Sequence, residues 1–190
     1  MALINKRNLL ILLPALIACS IWLNWPSQHL PEAPPAMDAA QIRATPVNQV
    51  IALVTNDLRW KLAVVPAQRR DRWRAWPEPA RHVYALAWLE NDNGPGASSA
   101  FEGFHAIVTA TGEHLPTLDD MSAAYTAIGA EPCAAIVADV AKIDQGGGPS
   151  AFTILDNRLR QQMTACRTRV LYRDYIRSHA EDIAAVRPPQ

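Results

Sequence analysis

The chain has 190 residues, and its 18 lysine and arginine residues balance 18 aspartate and glutamate residues. That length allows one domain with a sizeable core behind any leader, not several domains. Its three cysteines have no C-x-x-C spacing, which excludes the usual thiol-based metal and redox motifs.

The first element is apolar. No charged residue occurs between Arg7 and Glu32, and residues 8–25 are almost wholly hydrophobic. A bilayer core of roughly 30 Å needs about 17–25 such residues in a helix. Lys6 and Arg7 precede the run and no cationic side chain follows until Arg43, so the positive-inside bias exports what comes next. The same residues also fit a cleaved leader, because Leu16-Ile17-Ala18-Cys19 is a lipobox-like end with Cys19 as the lipidated residue. Residues 1–25 are therefore expected to be either a transmembrane anchor or a lipoprotein signal. In both cases the protein belongs to the cell envelope, either anchored in the inner membrane with a periplasmic domain or tethered as a lipoprotein. Residues 26–46 hold five prolines and few large apolar groups, which predicts an extended, solvated tether.

From residue 47 to 190 the pattern is helical. Thr45-Pro46 reads as an N-cap and first turn, ahead of Val47, Val50, Ile51, Val54 and Leu58 at three- and four-residue steps. A second helix carries Val83, Leu86 and Leu89 and ends at NDNGPG. Ser99 and Glu102 form a capping-box pattern ahead of Phe101, Phe104 and Val108. Thr117 and Asp120 open a fourth helix, which Gly129 stops. Pro132 begins a fifth, with Cys133, Ile136, Val137 and Val140 on one stripe and glycines 146–148 at its end. The last is predicted as one long, arginine-studded helix from Phe152 to His179. No alternating strand pattern occurs. The expected fold is all-α, a single compact bundle of about six helices behind the N-terminal anchor.

Charge is unevenly distributed along this pattern. Residues 90–144 hold nine acidic side chains and one lysine, whereas 59–81 and 158–187 are each dominated by seven cations. Two oppositely charged faces would follow, or pairing of arginines with carboxylates across helices. On the first reading the partner-binding candidates are Glu102, Glu113, Asp119 and Asp120 on the acidic side. On the basic side they are Arg69, Arg70, Arg72 and Trp73 of RRDRWRAWP.

Catalytic motifs are sparse. The five histidines form no HExxH pair, Ser98 and Ser99 lie in no GxSxG elbow, and the glycines at 146–148 lack the following Lys-Ser/Thr of a phosphate loop. No cofactor or metal is expected. Cys133 and Cys166 both fall in the exported part, where disulfides persist; the apolar stripe favours a free buried thiol at Cys133, with a Cys133–Cys166 disulfide as the alternative.

Within residues 80–182 the runs ALAWLENDNGPG, GFHAIVTATGEH and MSAAYTAIGAEPCAAIVADVAKI, with YIRSH at 175–179, resemble the bacterial DNA-mimic protein family. The matching residues are Asn93-Gly94, Gly103-Phe104, Thr111-Gly112-Glu113 and Ala127-Ile128-Gly129-Ala130. The resemblance implies a small helical domain and, for the family's role, an acidic face that imitates DNA phosphates. DNA presents a charge every ~1.7 Å of axis, and here many arginines lie beside the acids. The sequence thus points to a non-enzymatic, membrane-tethered module that binds another protein, such as an immunity-like inhibitor of an envelope toxin. Nucleic acid is not the expected partner. The alternatives are an envelope hydrolase using Glu102, Glu113 and His114, and a cytoplasmic DNA mimic.

Overall fold

The structure is a computed structural model that describes residues 37–62, 66–91, 101, 115–143 and 149–187. All regular elements among the described residues are helices, and no strand occurs among them. In chain order they are α1 (Ala39–Ala44), α2 (Val50–Leu62), α3 (Pro66–Ala75), α4 (Glu78–Asn91), α5 (Leu118–Ala127), α6 (Glu131–Ile143), α7 (Pro149–Ala165), α8 (Thr168–Ser178) and α9 (Ala180–Ala184).

Helix α4 is the hub, in contact with α2, α5, α8 and α9. Its sequence explains why. Ala80, Val83, Ala85, Leu86, Ala87 and Leu89 are all buried, which is more than one stripe and suits a helix covered on several sides. The alanines admit neighbouring helices closely, and the larger residues fill the space between.

The α5–α6 hairpin follows its sequence signals closely. Thr117 is the N-cap of α5, its Oγ1 accepting from the Asp120 amide at 3.1 Å while Asp120 Oδ2 accepts from the Thr117 amide at 2.9 Å. At the other end Gly129 adopts φ +77°. The Ala130 amide then reaches the Tyr125 carbonyl at 2.8 Å and the Gly129 amide reaches that of Thr126 at 2.9 Å. These are the two bonds of a Schellman stop, which glycine enters without a Cβ penalty. Met121, Ala124 and Tyr125 of α5 then face Cys133, Ile136, Val137 and Val140 within the common core.

Elsewhere the chain departs from expectation. The stretch 26–46 was expected to be an extended tether, yet α1 lies within it. Asp38 and Gln41 form a capping box that starts α1, and Ile42 is buried. Thr45 does not N-cap α2: its hydroxyl donates back to the Gln41 carbonyl at 2.7 Å and closes α1. Helix α1 packs against α9, where Arg43 pairs with Glu181 and Arg177 donates to the Thr45 carbonyl at 2.9 Å. Helix α3 is a second addition. The expected helix through Phe101–Val108 lies outside the described residues except for Phe101, which is helical and fully buried.

The long final helix is not continuous. It breaks at Cys166-Arg167, where Arg167 takes φ 55° and ψ 43°, and α8 and α9 follow as separate pieces. The break turns α8 back over α2 and α4. Tyr172 and Ile176 are thereby buried, and the Tyr172 hydroxyl donates to the Val83 carbonyl at 2.6 Å. No helix among the described residues is long and apolar enough to cross a membrane. The anchor or leader expected at 1–25 lies outside the described residues.

Candidate functional site

The candidate residues fall into three groups. Cys19, Glu102, Glu113 and His114 lie outside the described residues. Asp119 is exposed on α5, whereas Asp120 is half-buried and serves the α5 cap. On α3, Arg69 and Arg70 are exposed, and Arg72 lines a cleft of about 370 Å³ with Trp76 and Arg187.

One expectation, the surface role of Trp73, needs correction, and of the two cysteine readings the free thiol is the one observed. Trp73 is not a surface contact; only 3% of it is exposed. Its ring lies 5.8 Å from Trp76 and 5.5 Å from Tyr84 of α4, edge-on to the latter. Each such pair adds about 0.5–1.5 kcal/mol beyond area burial, so the interleaved arginines decorate a helix that α4 holds by its tryptophan. Cys133 and Cys166 form no disulfide. Cys133 faces inward on the α6 stripe and is fully buried, and Cys166 is half-buried at the end of α7.

An arginine-rimmed cleft lies at the α7–α8 break. Arg160 of α7, Arg167 at the break and Arg169 in the first turn of α8 rim a cleft of about 560 Å³. Met163, Thr164 and Val170 supply its less polar lining, and both Met163 and Val170 are half-buried. Arg160 donates to the Asn157 amide oxygen at 3.0 Å. Among the described residues, no carboxylate pairs with any of the three arginines.

Local electrostatics are unfavourable to this arrangement. The start of a helix carries the positive end of its dipole, where carboxylates stabilise and cations do not. Helix α8 begins with Arg167, Thr168 and Arg169 and has no side-chain cap hydrogen bond. In addition, a left-handed backbone costs a residue with a Cβ roughly 1–2 kcal/mol. Three local preferences are thus violated at one point. Conflicts of this kind concentrate at functional sites. They leave three arginines, with no carboxylate paired to them among the described residues, around the less polar lining of the cleft.

A second cleft of about 530 Å³ opens between α4 and α5, lined by Glu78, His82, Asp119, Ser122 and Thr126. His82 is its most constrained member. Its Nδ1 lies 2.9 Å from the Tyr175 hydroxyl, and its Nε2 lies 3.6 Å from Glu78 Oε1. Burial pulls the His82 imidazole below its ordinary value, with Arg81 and His179 adding to the fall and Glu78 and Asp120 opposing it. Burial pushes Tyr175 up to about 12, helped by Glu78 and Asp182. At neutral pH the 2.9 Å contact therefore joins a neutral imidazole to a protonated tyrosine hydroxyl. Tyr175 in turn packs at a tilt against His179, ring centroids 4.4 Å apart, and His179 Nδ1 lies 3.4 Å from Asp182 Oδ2. The cluster ties α4, α8 and α9 together. It holds no poised nucleophile: Ser122 donates its hydroxyl to the Ala134 carbonyl at 3.1 Å. Among the described residues no group of three His, Cys, Asp or Glu side chains could hold a metal ion.

No family model, curated protein or solved structure matches the chain. The sequence flagged 158–187 as basic but singled out none of Arg160, Arg167 and Arg169. What unites them is the break, and no glycine or proline announces it. The His82–Tyr175 pairing joins positions 93 residues apart and has no local signal.

Proposed function

We propose that this protein is a non-enzymatic, membrane-tethered module of the cell envelope that binds another protein through its arginine-rich surface. One observation carries the reading: Arg160, Arg167 and Arg169 gather around an apolar-floored cleft at the α7–α8 break without a carboxylate among the described residues to neutralise them. Between the two charged regions of the sequence, the basic one is favoured. Asp120 is committed to a helix cap and Asp139 is paired with Lys142 at 2.8 Å. Complementary charge across such an interface raises association rate and specificity. An inhibitor or immunity-like role fits that chemistry when the partner offers an acidic segment. The envelope location rests on the uncharged run 8–25. The resemblance to the DNA-mimic family adds no DNA mimicry to this reading, because even a shared fold would not transfer function.

In-cell photocrosslinking of the full-length protein tests the reading. A photoreactive residue at Arg169 should give a discrete adduct with a second protein, recovered in the membrane fraction. The same residue at Asp119 should give none. An adduct from Asp119 alone would move the interface to the acidic helices, and none from either position would refute a binding role.

A further inference from the structure

We infer that the α7–α8 cleft takes an acidic peptide segment, its carboxylates on Arg160, Arg167 and Arg169 and one bulky apolar side chain against Met163 and Val170. This rests on the binding-module reading above and names the chemistry of the partner. The guanidinium groups match carboxylates in planar, two-pronged geometry, and arginine suits such sites better than lysine because its fork is rigid and weakly hydrated. A carboxylate arriving here would also relieve the cationic start of α8, which has no side-chain cap of its own.

The floor selects among anions. Single-stranded nucleic acid is held by aromatic platforms on which bases stack, and among the described residues the lining of this cleft contains no aromatic ring. An anionic bilayer presents a broad, nearly flat surface, whereas this site is an open cleft of about 560 Å³. Acid flanking an apolar residue satisfies both the rim and the floor.

Fluorescence anisotropy with the full-length protein in detergent micelles provides the test. The probe is a short rhodamine-labelled peptide of aspartate and glutamate around a central leucine–phenylalanine pair. It should bind, and replacing the apolar pair by serines should weaken it about 5-fold or more, as expected when roughly 1 kcal/mol of apolar contact is lost. Arg160→Gln and Arg169→Gln should each weaken binding about 10-fold or more, matching the lower end of the usual worth of one charged hydrogen bond. Arg167→Asn, which keeps the left-handed backbone accessible, should do the same, while Lys142→Gln on α6 should change nothing. Thermal melts of each variant identify loss through misfolding.

Several outcomes would overturn the inference. They are no binding in the millimolar range, affinity indifferent to Arg160→Gln and Arg169→Gln, or preferential binding of a single-stranded oligonucleotide or phosphatidylglycerol vesicles. A crosslinked adduct from the cell that survives both glutamine variants, with no peptide binding, would leave the module reading standing and sink only the cleft.

Discussion

Two helix junctions in this molecule use the same backbone region in opposite ways. Between α5 and α6 the left-handed residue is Gly129, and a Cβ built there would meet nothing within 4 Å. Between α7 and α8 it is Arg167. At the first, sequence and conformation agree, and a capping box and Schellman stop frame the helix. At the second, a large cation occupies a conformation that glycine would occupy more cheaply. The first junction is built for stability, and the second sets stability aside for the position of a charge.

The contrast can be broken experimentally. Gly129→Ala has the largest expected effect, a loss of about 1–2 kcal/mol in chemical denaturation, and since the surrounding space is open the whole loss reports backbone strain. No loss would mean that the hairpin turn can rearrange. Tyr172→Phe, which removes the hydroxyl bond to Val83 that holds α8 on α4, should cost about 1 kcal/mol. If it costs nothing, the break alone sets the course of α8. Arg167→Gly should shift stability the other way, by at most about 1 kcal/mol, while lowering affinity for the acidic peptide. A clear destabilisation would mark Arg167 as a structural clamp.

The smallest effect concerns pH and the place where α4, α5 and α8 approach one another. Because burial lowers the His82 value below 6.5, the unfolded chain takes up the proton more readily than the folded one. The associated stability is complete above pH 6.5 and declines as the pH falls from there through the lowered folded value. His82→Gln should flatten that part of the stability–pH profile. An unchanged slope would show that the imidazole is solvated.

Legibility from sequence follows the same division. Helices α4, α5 and α6 were readable because apolar period, caps and glycine coincide at Val83–Leu89, Thr117, Gly129 and Pro132. The all-helical class was therefore clear. Helix α1 was missed because the prolines on either side of it suggested a tether, although Asp38-x-x-Gln41 is a capping-box signal. Helix α3 was missed because its arginines hide a tryptophan whose partners, Trp76 and Tyr84, belong to its C-terminal flank and to α4. The basic character of the candidate site was visible in composition. Its geometry was not, since Arg167 turns the chain with none of the residue types that normally mark a stop.

The contact between α1 and α9 bears on the order in which this protein can be completed. Ile42 is covered when α1 meets α9, and Arg43 finds Glu181 there. The ribosome delivers the first of these helices more than a hundred residues before the second. Until synthesis reaches residue 184 the early helix lacks its apolar neighbour, so nascent chains arrested at the α7–α8 break should expose the region around Ile42 to protease.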